Sequence, residues 1–127
     1  MTWHFDNGRP IYTQILEQIQ FLIISGQYPP GSKLPSVRDL ASEASVNPNT
    51  MQRALAELER SGLIYGHRTA GRFVSEDEEM IRKMKENIGK EKILALFRDM
   101  EQLGYDQQQT IALVHRMIAA NQHLEES

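Results

Sequence analysis

The sequence predicts a mostly α-helical protein with one small β-hairpin and a helical C-terminal arm, and three observations lead to this fold class. Apolar residues recur every three or four positions through most of the chain, which is the period of an amphipathic helix. Two short runs of strand-forming residues, at 63–65 and 73–74, flank a glycine-containing segment, as in a hairpin. After residue 75 the composition becomes acidic while the helical period continues. The predicted boundary divides a domain at 1–75 from a two-helix extension at 76–127.

The first helix follows Pro10, whose missing N–H suits the first helical position. Isoleucines recur at every fourth residue from 11 to 23, and Gly26 ends the helix. Ser36 caps a short second helix, with Asp39 three residues later in an arrangement that resembles a capping box. These signals predict two helices separated by a proline- and glycine-rich turn.

A third helix follows after a tight turn. Asn47 is suited to cap it, Pro48 to occupy its first position and Gly62 to close it. Its apolar stripe consists of Met51, Ala54, Leu55 and Leu58. The hairpin comes directly after this helix.

The arm begins with an acidic first turn at 76–79, which favours the positive end of a helix dipole. Two apolar stripes follow that do not keep one phase across Gly89, so we expect a kink or a rotation of the stripe there. Gly104 closes this helix, and Asp106 caps the last helix with Gln109 completing a capping box. Because one small arm cannot cover both stripes, they predict a homodimer formed through the C-terminal helices.

Length and composition limit the function. The chain has 127 residues, a formal net charge of −3 and no cysteine, which leaves no room for a catalytic barrel and excludes a disulfide framework or a thiolate zinc site. The lack of cysteine leads us to expect a cytoplasmic protein. We expect no membrane association, because no apolar run approaches the roughly 18 residues that a spanning helix needs and the N-terminus lacks a signal-peptide pattern.

Charge is unevenly distributed along the chain. Residues 1–75 contain seven lysines and arginines against six acidic residues, whereas residues 76–127 contain seven against eleven. If one half meets an anionic polymer, electrostatics therefore favour the first half.

The order helix, short helix, tight turn, helix and hairpin predicts a winged helix-turn-helix domain, whose recognition helix lies in the major groove of DNA. Asn49, Gln52 and Arg53 lie off the apolar stripe of the third helix. Asparagine and glutamine can pair with adenine, and arginine with guanine, while Thr50 can contact a phosphate or a thymine methyl group. In an isolated helix this polar face would simply be exposed to solvent. Its position in a helix, short helix, turn, helix and hairpin order instead favours contact with DNA bases.

Three further arginines are candidate DNA contacts. Arg38 lies near the start of the second helix, where that helix would cross the phosphate backbone. Arg68 and Arg72 flank the turn of the hairpin, or wing, where arginine can enter a minor groove or hold phosphates.

Three segments carry a resemblance to a known family: PIYTQI at 10–15, GQYPPGSKLPSVRDLA at 26–41 and VNPNTMQRALAELERSGLI at 46–64. They resemble the winged-helix domain of GntR-type repressors, and the short helical remainder resembles the YtrA-type subfamily. The resemblance implies a bacterial transcription factor that binds double-stranded DNA at a palindromic operator as a homodimer. In that subfamily the target is often an operon that contains ABC-transporter genes.

The resemblance also implies which residues contact DNA. Arg38 matches the family's phosphate-contacting arginine of the second helix. The matching positions of the recognition helix are Asn47, Asn49, Thr50 and Arg53, and Gln52 stands where some members have arginine. The family's wing commonly has two glycines separated by one residue. Thr69 replaces the first and must avoid or tolerate a positive φ, while Arg72 adds a charge where a small polar residue is common.

Other functions have weaker support. The sequence has no nucleophile elbow, no phosphate-binding glycine loop and no His-Glu metal pattern, so we expect neither an enzyme nor a cofactor. A protein-interaction module is the competing function, although its contact face would more often be apolar than Asn49, Gln52 and Arg53 are. An unidentified small-molecule effector between the arm and the winged domain, near Tyr105 or the Met-rich stripe, is an open alternative, although no polar cluster in the sequence marks a pocket.

Overall fold

The computed structural model describes residues 3–126 of the chain, with side chains for residues 3–121. Its elements are α1 (Ile11–Ile24), α2 (Val37–Ala44), α3 (Pro48–Ser61), β1 (Ile64–His67), β2 (Gly71–Val74), α4 (Glu78–Gln102) and α5 (Gln107–Glu126). The predicted fold class, mostly helical with one hairpin, is confirmed. Contacts divide the chain into two compact units, Met1–Lys85 and Glu86–Ser127, and the first extends beyond the predicted boundary at residue 75.

Short polar side chains start α2 and α3 where the sequence predicts. The Oγ of Ser36 accepts a hydrogen bond from the backbone N–H of Asp39 at 3.1 Å, and Oδ1 of Asn47 accepts one from the N–H of Asn49 at 2.8 Å. Between the two helices, Ser45 adopts a left-handed conformation with φ of 56°. The turn is therefore only three residues long, which fixes the crossing of α2 and α3.

The first unit has one apolar core, to which every one of its helices contributes. Its largest fully buried side chains come from α1, α2, α3 and the hairpin region: Ile15, Ile19, Ile23, Leu40, Met51, Leu55, Leu58, Leu63, Ile64 and Val74. The first turn of α4 adds Ile81, which is also buried. The core joins α3 to α1, α2 and the wing, so these elements present the polar face of α3 as one rigid body.

The wing is larger than the predicted hairpin. Antiparallel pairing runs from Ile64 opposite Val74 to His67 opposite Gly71, which leaves a turn at 68–70. On its other edge, β2 pairs with the segment that precedes α2, where the N–H of Leu34 donates to the carbonyl of Arg72 at 2.9 Å. Among the described residues, Ser45 is the only residue other than glycine with a positive φ. Thr69 at the wing tip therefore avoids that conformation.

The second unit consists of the C-terminal part of α4 and α5. The α4 helix runs through Gly89 without interruption, so both apolar stripes lie on a single helix. The predicted capping box is confirmed: Oδ1 of Asp106 accepts from the N–H of Gln109 at 2.8 Å, and Oε1 of Gln109 accepts from the N–H of Asp106 at 2.9 Å. No helix in the described part of the chain is long and apolar enough to span a membrane.

Candidate nucleic-acid interface

The exposed face of α3 is the centre of the candidate interface. Met51 and Leu55 point into the core, while Asn49, Gln52 and Arg53 are exposed. Asn49 and Arg53 are four residues apart and therefore lie on one face of the helix. The structure thus brings together, on one rigid helix, the amide and guanidinium groups that can form paired hydrogen bonds with base edges.

The start of α3 offers different chemical groups from those on its exposed face. Asn47 is exposed and uses its Oδ1 as the helix cap, so its Nδ2 group is the donor that it offers to a DNA partner. Thr50, in the first turn, is half-buried. Pro48 has no N–H group and the N–H of Asn49 is bound by the cap. This end of α3 would therefore favour a phosphate mainly through the positive end of the helix dipole.

Arg53 has an aromatic partner that the sequence interpretation missed. Its Cζ atom lies 3.7 Å from the centroid of the Tyr12 ring, which is a cation–π contact. Tyr12 lies in the first turn of α1 and is half-buried. The period of α1 gave no signal for this contact, because it arises only when α1 packs against α3.

Arg38 and Arg68 are both exposed, at the start of α2 and in the wing turn respectively. Within residues 3–121, neither forms an ion pair with a carboxylate. Both charges therefore remain free to meet DNA, Arg38 at a phosphate and Arg68 at a phosphate or in a minor groove.

Arg72 has a different environment from the other predicted contacts. Its Nε donates to Oε1 of Glu59 on α3 at 2.5 Å, and its side chain is only 20 % exposed. The Nε group is therefore already bound inside the protein. Sequence reasoning missed Glu59, since nothing in its spacing indicates that the wing folds back onto this part of α3.

Lys33 is a second cation that the sequence interpretation did not single out. It lies on the segment that pairs with β2 and is exposed. Its Cε atom is 3.3 Å from the position that a Cβ would take at Gly71, so glycine there lets the lysine side chain cross the wing. Residues 33–37 and 69–72, with Asp39, line an open cleft of about 720 Å³ between the start of α2 and the wing turn.

The remaining sequence candidates lie outside this interface. Tyr105 lines a cavity of about 370 Å³ within the second unit, together with Arg98 and Glu101. Among the described residues, no group of three or more histidine, aspartate or glutamate side chains is arranged to hold a metal ion.

Comparison with known proteins gives consistent matches over this domain and beyond it. The family model described as "Bacterial regulatory proteins, gntR family" matches residues 11–74. The HTH-type transcriptional regulator YhcF of Bacillus subtilis is 36% identical over 107 residues, covering 84% of this chain and 88% of that protein. The HTH-type transcriptional repressor YtrA of Bacillus subtilis is 39% identical over 101 residues, covering 79% of this chain and 78% of that protein.

Solved structures extend the likeness to three dimensions. A GntR family transcriptional regulator from Listeria monocytogenes superimposes with a TM-score of 0.83 at 40% identity, covering 88% of this chain and 98% of that one. The DNA-binding domain of AraR in complex with operator ORX1 matches with a TM-score of 0.54 at 28% identity, covering 57% of this chain and 93% of that one. The second likeness is to a domain that was crystallised on its operator.

Proposed function

We propose that this chain, a DNA-binding transcriptional regulator that belongs to the GntR family, represses transcription by binding a palindromic operator as a homodimer. The observation that carries the proposal is the exposed face of α3, where Asn49, Gln52 and Arg53 lie opposite the buried apolar side chains of the same helix. Repression is supported by the likeness to YtrA, which is itself named a transcriptional repressor.

The predicted contact residues would divide into two groups. Asn49, Gln52 and Arg53 would read base edges in the major groove. Phosphate contacts would come from the start of this helix and from the elements around it, namely from Arg38, Asn47, Thr50 and Arg68. Base contacts determine which sequence is bound, whereas phosphate contacts fix the register and supply most of the salt-dependent affinity.

Arg72 would act on DNA through the position of the wing. Because its Nε is bound to Glu59, it would hold the hairpin against α3 so that Arg68 at the turn reaches the phosphate backbone beside that helix. This assignment gives the two wing arginines different roles and makes them separable by mutation.

Homodimerisation through the C-terminal helices is supported by the apolar surface of the second unit. Ile93, Leu103 and Met117 are 53%, 73% and 58% exposed, and a partner would remove such side chains from water. A two-fold dimer would present two α3 helices to half-sites about 34 Å apart, or a multiple of that distance.

The regulator would act in the cytoplasm, on an operon that includes ABC-transporter genes.

Selection of DNA fragments bound by the purified 127-residue chain tests the proposal. We expect the recovered fragments to share an inverted repeat, and sedimentation of the complex to give two chains for each duplex. Recovery of unrelated fragments at moderate salt, or of a single chain on an asymmetric site, would contradict it.

A further inference from the structure

We infer that Tyr12 determines specificity as a positioning residue, because it holds the guanidinium of Arg53 in place for a guanine base. The inference rests on the proposed function, in which Arg53 reads a base pair, and it adds a residue from α1 to the recognition surface. The observation that carries it is the 3.7 Å separation between Cζ of Arg53 and the centroid of the Tyr12 ring.

The contact leaves the hydrogen-bonding groups of Arg53 available. An aromatic ring engages the face of a guanidinium, whereas the N–H donors lie in the plane of that group and point outward. A guanine offers its O6 and N7 acceptors to just such a planar pair of donors. The ring can therefore orient the arginine without competing for the hydrogen bonds that read the base.

The alternative partner of Arg53 is already engaged. Glu57 follows Arg53 by four residues, a spacing at which opposite charges on a helix commonly pair. Instead, Oε1 of Glu57 lies 2.8 Å from Nη1 of Arg60. Within residues 3–121, Arg53 is thus held by a neutral ring and forms no ion pair, so its positive charge is available to the electronegative edge of guanine.

The two side chains belong to elements that the core fixes against each other. Tyr12 lies one turn before Ile15, and Arg53 is next to Ala54; both of these neighbours are fully buried. The relative positions of the ring and the guanidinium are therefore determined by the packing of α1 on α3. A flexible arginine ordered in this way before binding loses less conformational freedom when it meets DNA.

A double-mutant cycle on the 127-residue chain tests the inference. Its probes are a duplex that the wild-type protein selects from random sequence and variants of that duplex that each differ at one base pair. We expect Tyr12→Leu to weaken binding to the selected duplex by about two- to fivefold, the range of an exposed cation–π contact. The loss should fall on the guanine-containing pair that Arg53→Ala identifies. Tyr12→Phe should bind like wild type, and Tyr12→Leu should cause no further loss in the Arg53→Ala background.

The outcomes separate the inference from the function on which it rests. Phe21→Leu, an exposed aromatic-to-leucine change on the same helix, is the matched control and should leave binding unchanged. If Arg53→Ala weakens binding but Tyr12→Leu acts additively with it, the inference fails and the proposed function stands. Tighter binding by Tyr12→Leu also overturns it, since the ring would then restrain Arg53 from DNA. If Arg53→Ala itself has no effect, the inference fails together with the base-reading role of Arg53 on which it rests. Failure to select any duplex would instead contradict the proposed function.

Discussion

Arg72 on β2 and Glu59 on α3 form an ion pair, with Nε of the arginine 2.5 Å from Oε1 of the carboxylate. The pair is partly shielded, since the two side chains are 20% and 35% exposed. Gly66 on β1 allows the carboxylate to approach, because a Cβ there would lie 3.3 Å from the same oxygen. The orientation of the wing relative to the recognition helix therefore depends on this pair as well as on the apolar core.

Removal of this ion pair should lower the free energy of unfolding of the first unit slightly, and the effects of the two substitutions should not be additive. We expect Glu59→Gln and Arg72→Gln to show a coupling free energy of about 0.5–1 kcal/mol in a double-mutant cycle, since the pair keeps some solvent exposure. Urea unfolding of the two single variants and the double variant measures it. The exposed pair of Glu57 with Arg60 provides the control, and its cycle should give a smaller coupling. Strict additivity for Glu59 and Arg72 would contradict a wing-holding role.

The salt dependence of DNA binding should distinguish the two wing arginines. Arg68→Ala removes a free cation and should lower the slope of log affinity against log salt by about one, uniformly across sequences. Arg38→Ala should do the same from the start of α2. Arg72→Ala should change the slope less, because its charge is already balanced by Glu59. Titrations of one duplex at several salt concentrations measure all three slopes, and equal slopes for Arg68 and Arg72 would refute the division of roles.

The base-reading face should lose discrimination rather than overall affinity. Asn49→Ala and Arg53→Ala should each cost about 1–3 kcal/mol on the preferred operator and relax the preference at one base pair. Binding to duplexes already altered at that pair should change little. Arg60→Ala is the matched control on the same helix, because Arg60 is paired with Glu57. A uniform loss on every duplex would assign Asn49 or Arg53 to phosphate.

Local chemistry allowed much of this fold to be predicted. The caps at Ser36, Asn47 and Asp106 follow from the hydrogen bonds that each side chain can make within three residues. The apolar stripe of α3 determined which of its faces is polar, and so which residues we propose to read bases. These features depend on neighbours in sequence, which is why one sequence suffices to find them.

Features that depend on distant neighbours were not predictable in the same way. The pairing of Lys33 with Phe73 joins segments separated by two helices. Gln14 is 3% exposed on the apolar side of α1, where its amide binds the backbone of Asp6 in both directions, at 2.8 and 2.9 Å. The partners of Arg53 and Arg72 belong to the same class, since each arises from packing between helices or between helix and wing.

The capping box of α5 should contribute to the stability of the second unit. Asp106→Ala removes the acceptor of the Gln109 N–H bond and should lower the free energy of unfolding by about 1 kcal/mol. Asp106→Asn keeps a capping oxygen and should restore most of the loss. Circular dichroism during urea unfolding measures both, and an equal loss in the two variants would show that the negative charge, not the cap, is responsible.

Charges placed on the apolar surface of the second unit should dissociate the proposed homodimer. Ile93→Asp and Met117→Asp each replace a half-exposed apolar side chain with a carboxylate that a dry interface cannot solvate. Burial of an unpaired charge is so costly that we expect the dimer dissociation constant to rise at least tenfold, which corresponds to about 1.4 kcal/mol. Sedimentation equilibrium over a range of concentrations measures this constant.

The effect on DNA binding should follow from dissociation alone. Gln108→Asp adds the same charge at an exposed polar position and should leave the dimer intact. A monomeric Ile93→Asp chain should still bind a single half-site with its α3 helix, but it should lose the added affinity that two linked half-sites provide. If Ile93→Asp and Met117→Asp both remain dimeric and bind the operator normally, the dimer must form through another surface, and the arm would need another role.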